Sequence, residues 1–484
     1  MKAKVTYPRN LSFEFCVATT TELQQKLWSY AGASRFAYNQ CWALVTEALA
    51  RRRSGENISA PRSAEDFINA FNTWKKSSAA GVSEDGTVGL SWQHQVLSQV
   101  FEESTVDFSR ALNRFYQFRT GKVSGPKVGF PKKKKKFRDT PRFRIRNMVK
   151  KTGWNSMRFS NKNPRVLVVP GLGEICLKQD TRRVRQLIKA VNGVPRGRIW
   201  FATFRFEAGA WYVRLQLGAQ ELHAALRLPK EKFSRVVGGD VGLKTLITVA
   251  DTHSVLIESV APTKRLRCKK RKLKKLARSM TRKRREAKKN NVEFRSQRYT
   301  EARILFARCH AKIARQREHE SHCLSKKFAK NHDVFALETL GIRGLMKNHC
   351  HAFAIADAGW GILKRHLSYK LRWHGGKLIE VGRFFPSSKL CSSCHWKNDA
   401  LTLKDRTFGC LQCDLIMDRD LNAAINIARE GQRLVAEQAK SINGCGEERS
   451  GARRKLGAKR ASAKQQVAKA SLPRRDAVDY VNRL

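Results

Sequence analysis

The sequence predicts an α+β chain of several domains: a β-unit split by a helical insertion, then an α/β domain carrying a metal knuckle. Three observations predict it. Strand-like alternation opens the chain and returns between residues 140 and 235, with helical periodicity in between. From residue 236 the pattern reads strand, strand, helical insertion, strand, helix, strand, helix. Two CxxC pairs then stand just ahead of the last helix.

The elements follow in order. Residues 2–17 alternate as a strand, as in "LSFEFCV". At Thr19 a TxxE capping-box pattern with Glu22 starts a helix, and a second helix is expected through "SRFAYNQCWALVTEALARRR". The polar stretch from Ser54 to about Gly89 reads as a loop. From Trp92, residues Leu97, Phe101, Phe108, Leu112 and Phe115 mark one helical face. A Gly/Pro-punctuated basic segment with the lysine run Lys132–Lys136 follows, and "RIWFATFRFEAGAWYVRLQLG" is a hairpin turning at Gly209. Strands near the N-terminus are expected to pair with those of 140–235, the helices between forming a separate lobe. In the second half, "SRVVGGDVGLKTLITVADTHSVLI" reads as a buried strand, a Gly-rich turn and a second strand. Two long basic helices broken near Asn290-Asn291 come next, then the strand "DVFALETL", a helix stopping at Gly375-Gly376 and the strand "KLIEVGRF".

Composition narrows the partner. Lys and Arg total 97 against 40 acids among 484 residues, a formal charge of +57. Neutralising phosphates releases condensed counterions, so a polyanion is the natural partner. A membrane is not: no apolar run approaches the roughly 20 residues of a spanning helix, and no signal-like segment follows Met1. Eight of the twelve cysteines lack pairing logic, which implies a reducing compartment, the cytoplasm.

Cys391, Cys394, Cys410 and Cys413 form C-x2-C-x15-C-x2-C. Two knuckles of two thiolates complete a closed tetrahedron around one Zn²⁺, which makes the ion structural. His395 is left out because four cysteines fill the site. Three acids stand out: Asp240 ends an apolar strand, Glu338 does the same in "VFALETL", and Asp420 opens the helix "LNAAINIA". Buried acids need a partner or a metal. A helix N-cap is the plain alternative for Asp420 and a satisfied strand-edge acid for Glu338. Together with the basic surface, the three suggest phosphodiester hydrolysis with two Mg²⁺ ions. Gly242 would permit close approach beside Asp240.

"GGDVGLKTLITVAD", "FALETLGIRGLMKN", the two knuckles and "DRDLNAAINI" together resemble the RuvC-type nuclease of the TnpB family, transposon-encoded RNA-guided DNA endonucleases related to the compact type V CRISPR effectors. "TELQQKLWSYAGASRFAYNQ", "VGFPKKKKKFRDTPRFRI" and "LVVPGLGEICLK" extend the resemblance loosely over the N-terminal half, and "CGEE" echoes it in the tail. By position, the resemblance implies a catalytic triad of Asp240, Glu338 and Asp420, with Asp418 outside it. It implies a wedge-like β-barrel from 1–17 and 140–235, with a helical recognition lobe and basic linker at 18–139. It implies an RNase H-like domain from 236–385 and 414–430 (with a basic helical insertion at 262–330) and a zinc ribbon at 386–413, while the Lys/Arg/Ala-rich composition of 431–484 predicts a basic, disordered tail. The implied partners are a guide RNA and target DNA, double- and single-stranded, recognised partly through a short adjacent motif. Two rivals are a guide-directed DNA-binding regulator that does not cut and an RNA-independent zinc-ribbon DNA binder. Of the aromatics Trp28, Tyr30, Phe36 and Tyr38, most are expected in a helix core rather than stacked on bases.

Overall fold

A computed structural model describes residues 7, 9–84, 86–136, 138–149, 155–191, 194–220, 234–290, 296–402 and 404–444. By contact they fall into two units, Met1–Leu222 and His223–Leu484.

In the first unit, strand β1 (Arg9–Cys16) leads into helix α1 (Thr21–Arg53). The cap is Thr20, one residue later than the TxxE pattern suggested: its hydroxyl accepts the Leu23 N–H at 3.2 Å, while Glu22 pairs with Lys26 at 2.7 Å. Helix α1 is continuous where two helices were expected. A glycine inside a helix costs about 1 kcal/mol, but the helical run Leu27, Tyr30, Ala31, Ser34, Ala37, Tyr38, Cys41 and Val45 is buried and offsets Gly32. The expected loop after Ser54 contains helix α2 (Ala64–Trp74). Its start is a capping box in which Ser63 and Asp66 satisfy each other's backbone N–H, and Phe67 and Phe71 form its buried face. The polar composition of the stretch hid that short amphipathic signal.

Helix α3 (Ser98–Arg119) precedes β2 (Arg142–Arg146). Then come β3 (Arg158–Phe159), β4 (Val166–Val169), β5 (Gly173–Cys176), α4 (Arg182–Ile188), the small ladder β6 (Ala190–Val191) and β7 (Val194–Pro195), and the hairpin β8 (Gly197–Glu207) and β9 (Ala210–Ala219). The hairpin turns at Ala208 and Gly209, both at positive φ (52° and 79°), as a twist-matched two-residue turn requires. The main sheet runs β1-β9-β8-β2, and β3-β4-β5 form a second sheet. Strands β1 and β2 are therefore edges, and the described strands form no closed barrel, contrary to expectation. An isolated bridge between Val17 and Leu177, with Ala18 N–H on Cys176 O and Lys178 N–H on Cys16 O (both 2.9 Å), links the two sheets without closing them, and Phe15, Phe143, Phe204, Trp211 and Val213 share one core with Leu167, Ile175 and Leu177. Tyr30 and Tyr38 are buried and Phe36 packs on Trp74 and Trp92, so only Trp28 keeps substantial exposure. The lysine run is strapped across α1, with Asn39 bonded to both the N–H (2.7 Å) and the carbonyl (2.9 Å) of Lys134.

In the second unit, β10 (Val236–Asp240), β11 (Ile247–Asp251) and β12 (Leu256–Val260) form an antiparallel meander. The single second strand expected here is two, because Asp251 turns the chain by accepting the N–H groups of His253 (2.9 Å) and Val255 (2.8 Å). Basic helices α5 (Arg265–Lys289) and α6 (Gln297–Asn331) flank a break beginning at Asn290, and β13 (Val334–Glu338) follows. Short helices α7 (Ile342–Leu345) and α8 (Ala352–Ala358), not anticipated, lead to α9 (Trp360–Trp373) and β14 (Lys377–Val381). A β-ladder of β15 (Thr407–Gly409) and β16 (Ile416–Asp418) precedes α10 (Arg419–Gly444). Helix α10 continues past the boundary expected at 430, and residues 445–484 of the expected tail lie outside the described residues.

The five-stranded sheet has the order β12-β11-β10-β13-β14, with β10, β13 and β14 parallel. Helices cover both faces, which explains the nearly all-apolar strands "VVGG" and "VFAL". On one side Val237, Val249, Phe335 and Leu337 pack with Phe328, Leu363, Leu367 and Leu371 of α6 and α9. On the other, Val236, Val334 and Ala336 meet Ile427 of α10, and Ala250 meets Ala424 and Ile425. Here the backbones nearly touch: a Cβ on Gly238 would overlap the Ala424 carbonyl and the Ala428 nitrogen, and one on Gly431 would overlap Ala336.

Gly238→Ala must therefore lift α10 off the sheet. Overpacking of this kind costs about 1–3 kcal/mol, and thermal unfolding should show a clear loss of stability. Gly382→Ala is the control, since its added methyl meets nothing within 4 Å; equal melting temperatures for the two variants would contradict the close packing.

Candidate active site

Asp240 and Glu338 are the last residues of the parallel neighbours β10 and β13, whose register pairs Gly239 with Leu337 one step before. Both carboxyls therefore leave the same end of the sheet, the end where ligands of open α/β sheets bind. Asp420 lies in the first turn of α10, which crosses β10 and β11. The fold thus brings all three acids to one place, and the electrostatics register it. Burial, then Glu338, then Asp420 push the Asp240 carboxyl up to about 8, against a weaker opposing pull from Arg419. Burial also raises Glu338.

What distinguishes these acids is the missing counter-charge. Glu103 in the first unit is buried too, but Arg144 and Arg146 stand 3.2 and 2.8 Å away. Asp333 is buried against Arg235 at 3.0 Å. Among the described residues, Asp240 and Glu338 have no hydrogen-bond or ion-pair partner, and Asp420 has only Arg419 at 4.0 Å. Clustered carboxylates without partners repel one another unless a cation or a proton joins them. An all-oxygen set of this kind suits a hard divalent cation.

The two neighbouring aspartates of "DRD" separate cleanly. Asp418 Oδ1 accepts the N–H groups of Asp420 (2.9 Å) and Leu421 (3.0 Å), so the N-cap is Asp418. Asp420 is left free to face Asp240. Gly242 serves its own turn, since a Cβ there would lie 2.9 Å from the Thr245 carbonyl.

The four knuckle cysteines converge. Sγ atoms of Cys391 and Cys413 lie 3.6 Å apart, those of Cys394 and Cys410 3.4 Å apart, and all four lie within 4.8 Å of one another. Four thiolates about 2.3 Å from one Zn²⁺ have sulfur–sulfur edges of about 3.8 Å, so this cluster fits that ion. The knuckles share one design. His395 and Asp414 follow each pair at positive φ (64° and 53°), Cys391 N–H bonds Trp396 O at 2.8 Å, and Cys410 N–H bonds Leu415 O at 2.9 Å. Ser393 and Gln412 each donate a backbone N–H at 3.4 Å to the first sulfur of their pair. His395 supplies the turn conformation, not a ligand. A second group, Glu318, His322 and His366, is close enough to suggest an ion. Its imidazoles are stacked face to face at 3.8 Å and 17°, however, so their in-plane lone pairs run side by side instead of converging.

Sequence reading missed the residues that join the knuckles to α10. The buried Asn422 donates to Leu390 O (2.7 Å) and accepts the Ser392 N–H (2.9 Å). The buried Asn426 donates to Ser387 O (2.8 Å) and Leu390 O (2.7 Å). Arg429 reaches Ser392 O and, at 3.2 Å, Thr252 O. The signal was present: two asparagines at i, i+4 on the Ala/Ile face of a helix must find partners once buried.

Two outcomes follow. Asn426→Ala orphans the Ser387 carbonyl and leaves Leu390 O to Asn422 alone, a cost of about 1–3 kcal/mol, and should speed hydrogen exchange across residues 387–392 while the β10 amides stay protected; unchanged exchange there would remove Asn426 as a bolt. For Asp240 the folded pKa lies above the unfolded one, so ionising it costs stability as pH rises from about 4 to about 8. In divalent-free buffer Asp240→Asn should therefore melt higher than wild type at pH 9, with the gap closing toward pH 4. Equal melting at pH 9 would mean the carboxylate is compensated.

Sequence comparison matches three family models to the chain: "Probable transposase" over residues 219–349, "Cas12f1-like, TNB domain" over 360–427 and "Helix-turn-helix domain" over 9–54. The last segment folds here as β1 followed by the single helix α1. A provisionally named RNA-guided DNA endonuclease of Mycobacterium tuberculosis is 29% identical over 428 residues, covering 86% of each chain. One from Streptomyces pristinaespiralis is 34% identical over 227 residues, 47% of this chain and 51% of that one. Among solved structures, the mini-RNA-guided endonuclease CRISPR-Cas phi3 aligns at a TM-score of 0.46 and 10% identity over 87% of this chain and 92% of that one, too distant to bear on function. The first two models contain Asp240, Glu338, the four cysteines and Asp420. The chain is thus similar to RNA-guided DNA endonucleases, in keeping with the TnpB family that its motifs resemble.

Proposed function

We propose that the chain is an RNA-guided DNA endonuclease that cuts with a RuvC-type, RNase H-like site built from Asp240, Glu338 and Asp420. The observation that carries this reading is the convergence of three carboxylates at one end of a mixed β-sheet, two of them, Asp240 and Glu338, with no ion-pair partner among the described residues. The strand order, with an antiparallel meander beside parallel β10, β13 and β14, agrees with an RNase H-like domain. The names borne by the sequence relatives support the guided-endonuclease class.

The three carboxylates would hold Mg²⁺. Two bound ions would supply an activated water and charge stabilisation at the leaving oxygen of a phosphodiester. The chain's own contribution is position. Strand register sets Asp240 beside Glu338, and the Asp418 cap fixes the first turn of α10 so that Asp420 closes the set. Arg419, held by Thr402 O at 3.1 Å, places a positive charge at the rim without neutralising the pair on the sheet. Zn²⁺ in the four-thiolate cluster would be structural, its binding energy stiffening the ribbon bolted to α10. Helix α5 buries Leu273 and leaves most of its Lys and Arg side chains in solvent, a surface suited to backbone phosphates of guide RNA and target DNA. Base pairing would then read the target, with a short adjacent motif read by protein.

Asp240→Ala, Glu338→Ala and Asp420→Ala should each abolish cutting while guided DNA binding persists, because each removes a ligand of the reaction centre and none removes a cation. Asp418→Ala should cost about 1 kcal/mol of helix stability and leave most activity. Cys413→Ser should lower zinc content and slow cutting, whereas Asp420→Ala stops cutting with zinc retained. Cleavage assays and metal analysis on the guide-loaded proteins decide. Near wild-type cutting by any triad variant would remove that residue from the site.

A further inference from the structure

The loop between β14 and the first knuckle carries a side chain that packing does not explain. Phe384 is 91% exposed, the most exposed of the large apolar side chains described. Its neighbours are tightly held. Phe385 packs into the core shared by Val381, Ile379 and Ile427, and its N–H bonds Gly382 O at 3.1 Å. Ser387 is buried, with its N–H on Phe385 O (2.9 Å) and its carbonyl on Asn426 (2.8 Å). The loop is thus fixed on both sides while one ring is presented to solvent. An aromatic ring exposed on a rigid loop costs hydration and gains nothing within the unit.

Its place in the fold says what it serves. Val381, three residues earlier, is the register partner of Glu338, and its carbonyl accepts the Thr339 N–H at 3.1 Å. Phe384 therefore stands just beyond the strand end beside the carboxylate cluster. The Arg383 guanidinium lies 5.8 Å from the Phe384 ring and close against Gly341, where a Cβ would come within 3.0 Å of it. A cation and a flat apolar face side by side match a nucleotide: phosphate for one, base for the other. We propose that Phe384 is the stacking platform for one nucleobase of the DNA strand that enters the carboxylate cluster, with Arg383 on the adjoining phosphate. The platform requires that base to be unstacked from its neighbour. This rests on the nuclease reading above.

The test uses guide-loaded wild type, Phe384→Ala, Phe384→Trp and Asp240→Ala, with target DNA carrying single abasic sites along the cut strand. Phe384→Ala should slow cutting about tenfold, within what one base–aromatic stack contributes, with guided DNA binding unchanged. Phe384→Trp should restore most of the rate. One abasic position should slow wild type to a similar extent and slow Phe384→Ala no further, the non-additivity expected of a broken contact. Full-rate cutting by Phe384→Ala, or abasic effects that add fully at every position, would overturn the proposal. So would a change in oligomeric state with no change in cutting, which would make the ring a protein contact. If wild type cuts and Asp240→Ala does not, such a failure belongs to the stacking platform alone. If guide-loaded wild type does not cut in Mg²⁺, the nuclease reading falls and the platform with it.

Discussion

The second unit depends on how closely α10 lies against β10. Gly238 has no side chain because the Ala424 and Ala428 backbone occupies that space, and Gly431 repeats the arrangement against Ala336. Helix and sheet can come this near only when both faces are stripped to glycine and alanine. The helix that packs this way begins at the knuckles and carries Asp420 in its first turn. One steric fit therefore sets the distance of the third acid from the other two, and a large side chain anywhere along the seam would open it.

Around that seam the unit spends polar groups in two contrasting ways. Asn422 and Asn426 are buried, Arg429 is half-buried, and all three are hydrogen-bonded, tying the backbone of residues 387–392 to α10. Asp240 and Glu338 are half-buried and, among the described residues, have no hydrogen-bond or ion-pair partner. The first group gives rigidity, since a buried polar group with all its bonds made has one geometry. The second stores electrostatic cost that a cation held among them would relieve. Buried acids elsewhere in the chain, Glu103 and Asp333, have arginine partners, so the lack of one at the sheet end is specific to that place.

Much of this was legible in the residues. Apolar strands ending in an acid, the C-x2-C-x15-C-x2-C spacing and the break at Asn290 each have a local physical signature. The misses were of another kind. Helix α2 hid in polar composition because its apolar face is only Phe67, Phe71 and Trp74. Helix α1 ran through Gly32 because tertiary burial outweighed local propensity. The closed barrel implied by resemblance is absent among the described strands because only an isolated bridge, Val17 to Leu177, links the two sheets, and whether a ladder closes is not written in any one strand. At the site, which aspartate of "DRD" caps the helix was a question of hydrogen bonds, and Asp418 answered it only in three dimensions. Asn422 and Asn426 carried a readable signal, two amides on an apolar helical face, whose partners lie thirty or more residues away.

In the proposed arrangement the knuckles of Cys391–Cys413 hold zinc, and Asp420, close behind them in sequence, joins Asp240 and Glu338 in a second metal site. Anomalous diffraction from crystals of the guide-loaded, DNA-bound protein with Mn²⁺ in place of Mg²⁺ tests it most directly. The arrangement predicts manganese peaks bounded by Asp240, Glu338 and Asp420, and a zinc-edge peak at the centre of Cys391, Cys394, Cys410 and Cys413. Manganese bound elsewhere with none among the three carboxylates, or a knuckle without zinc, would contradict it.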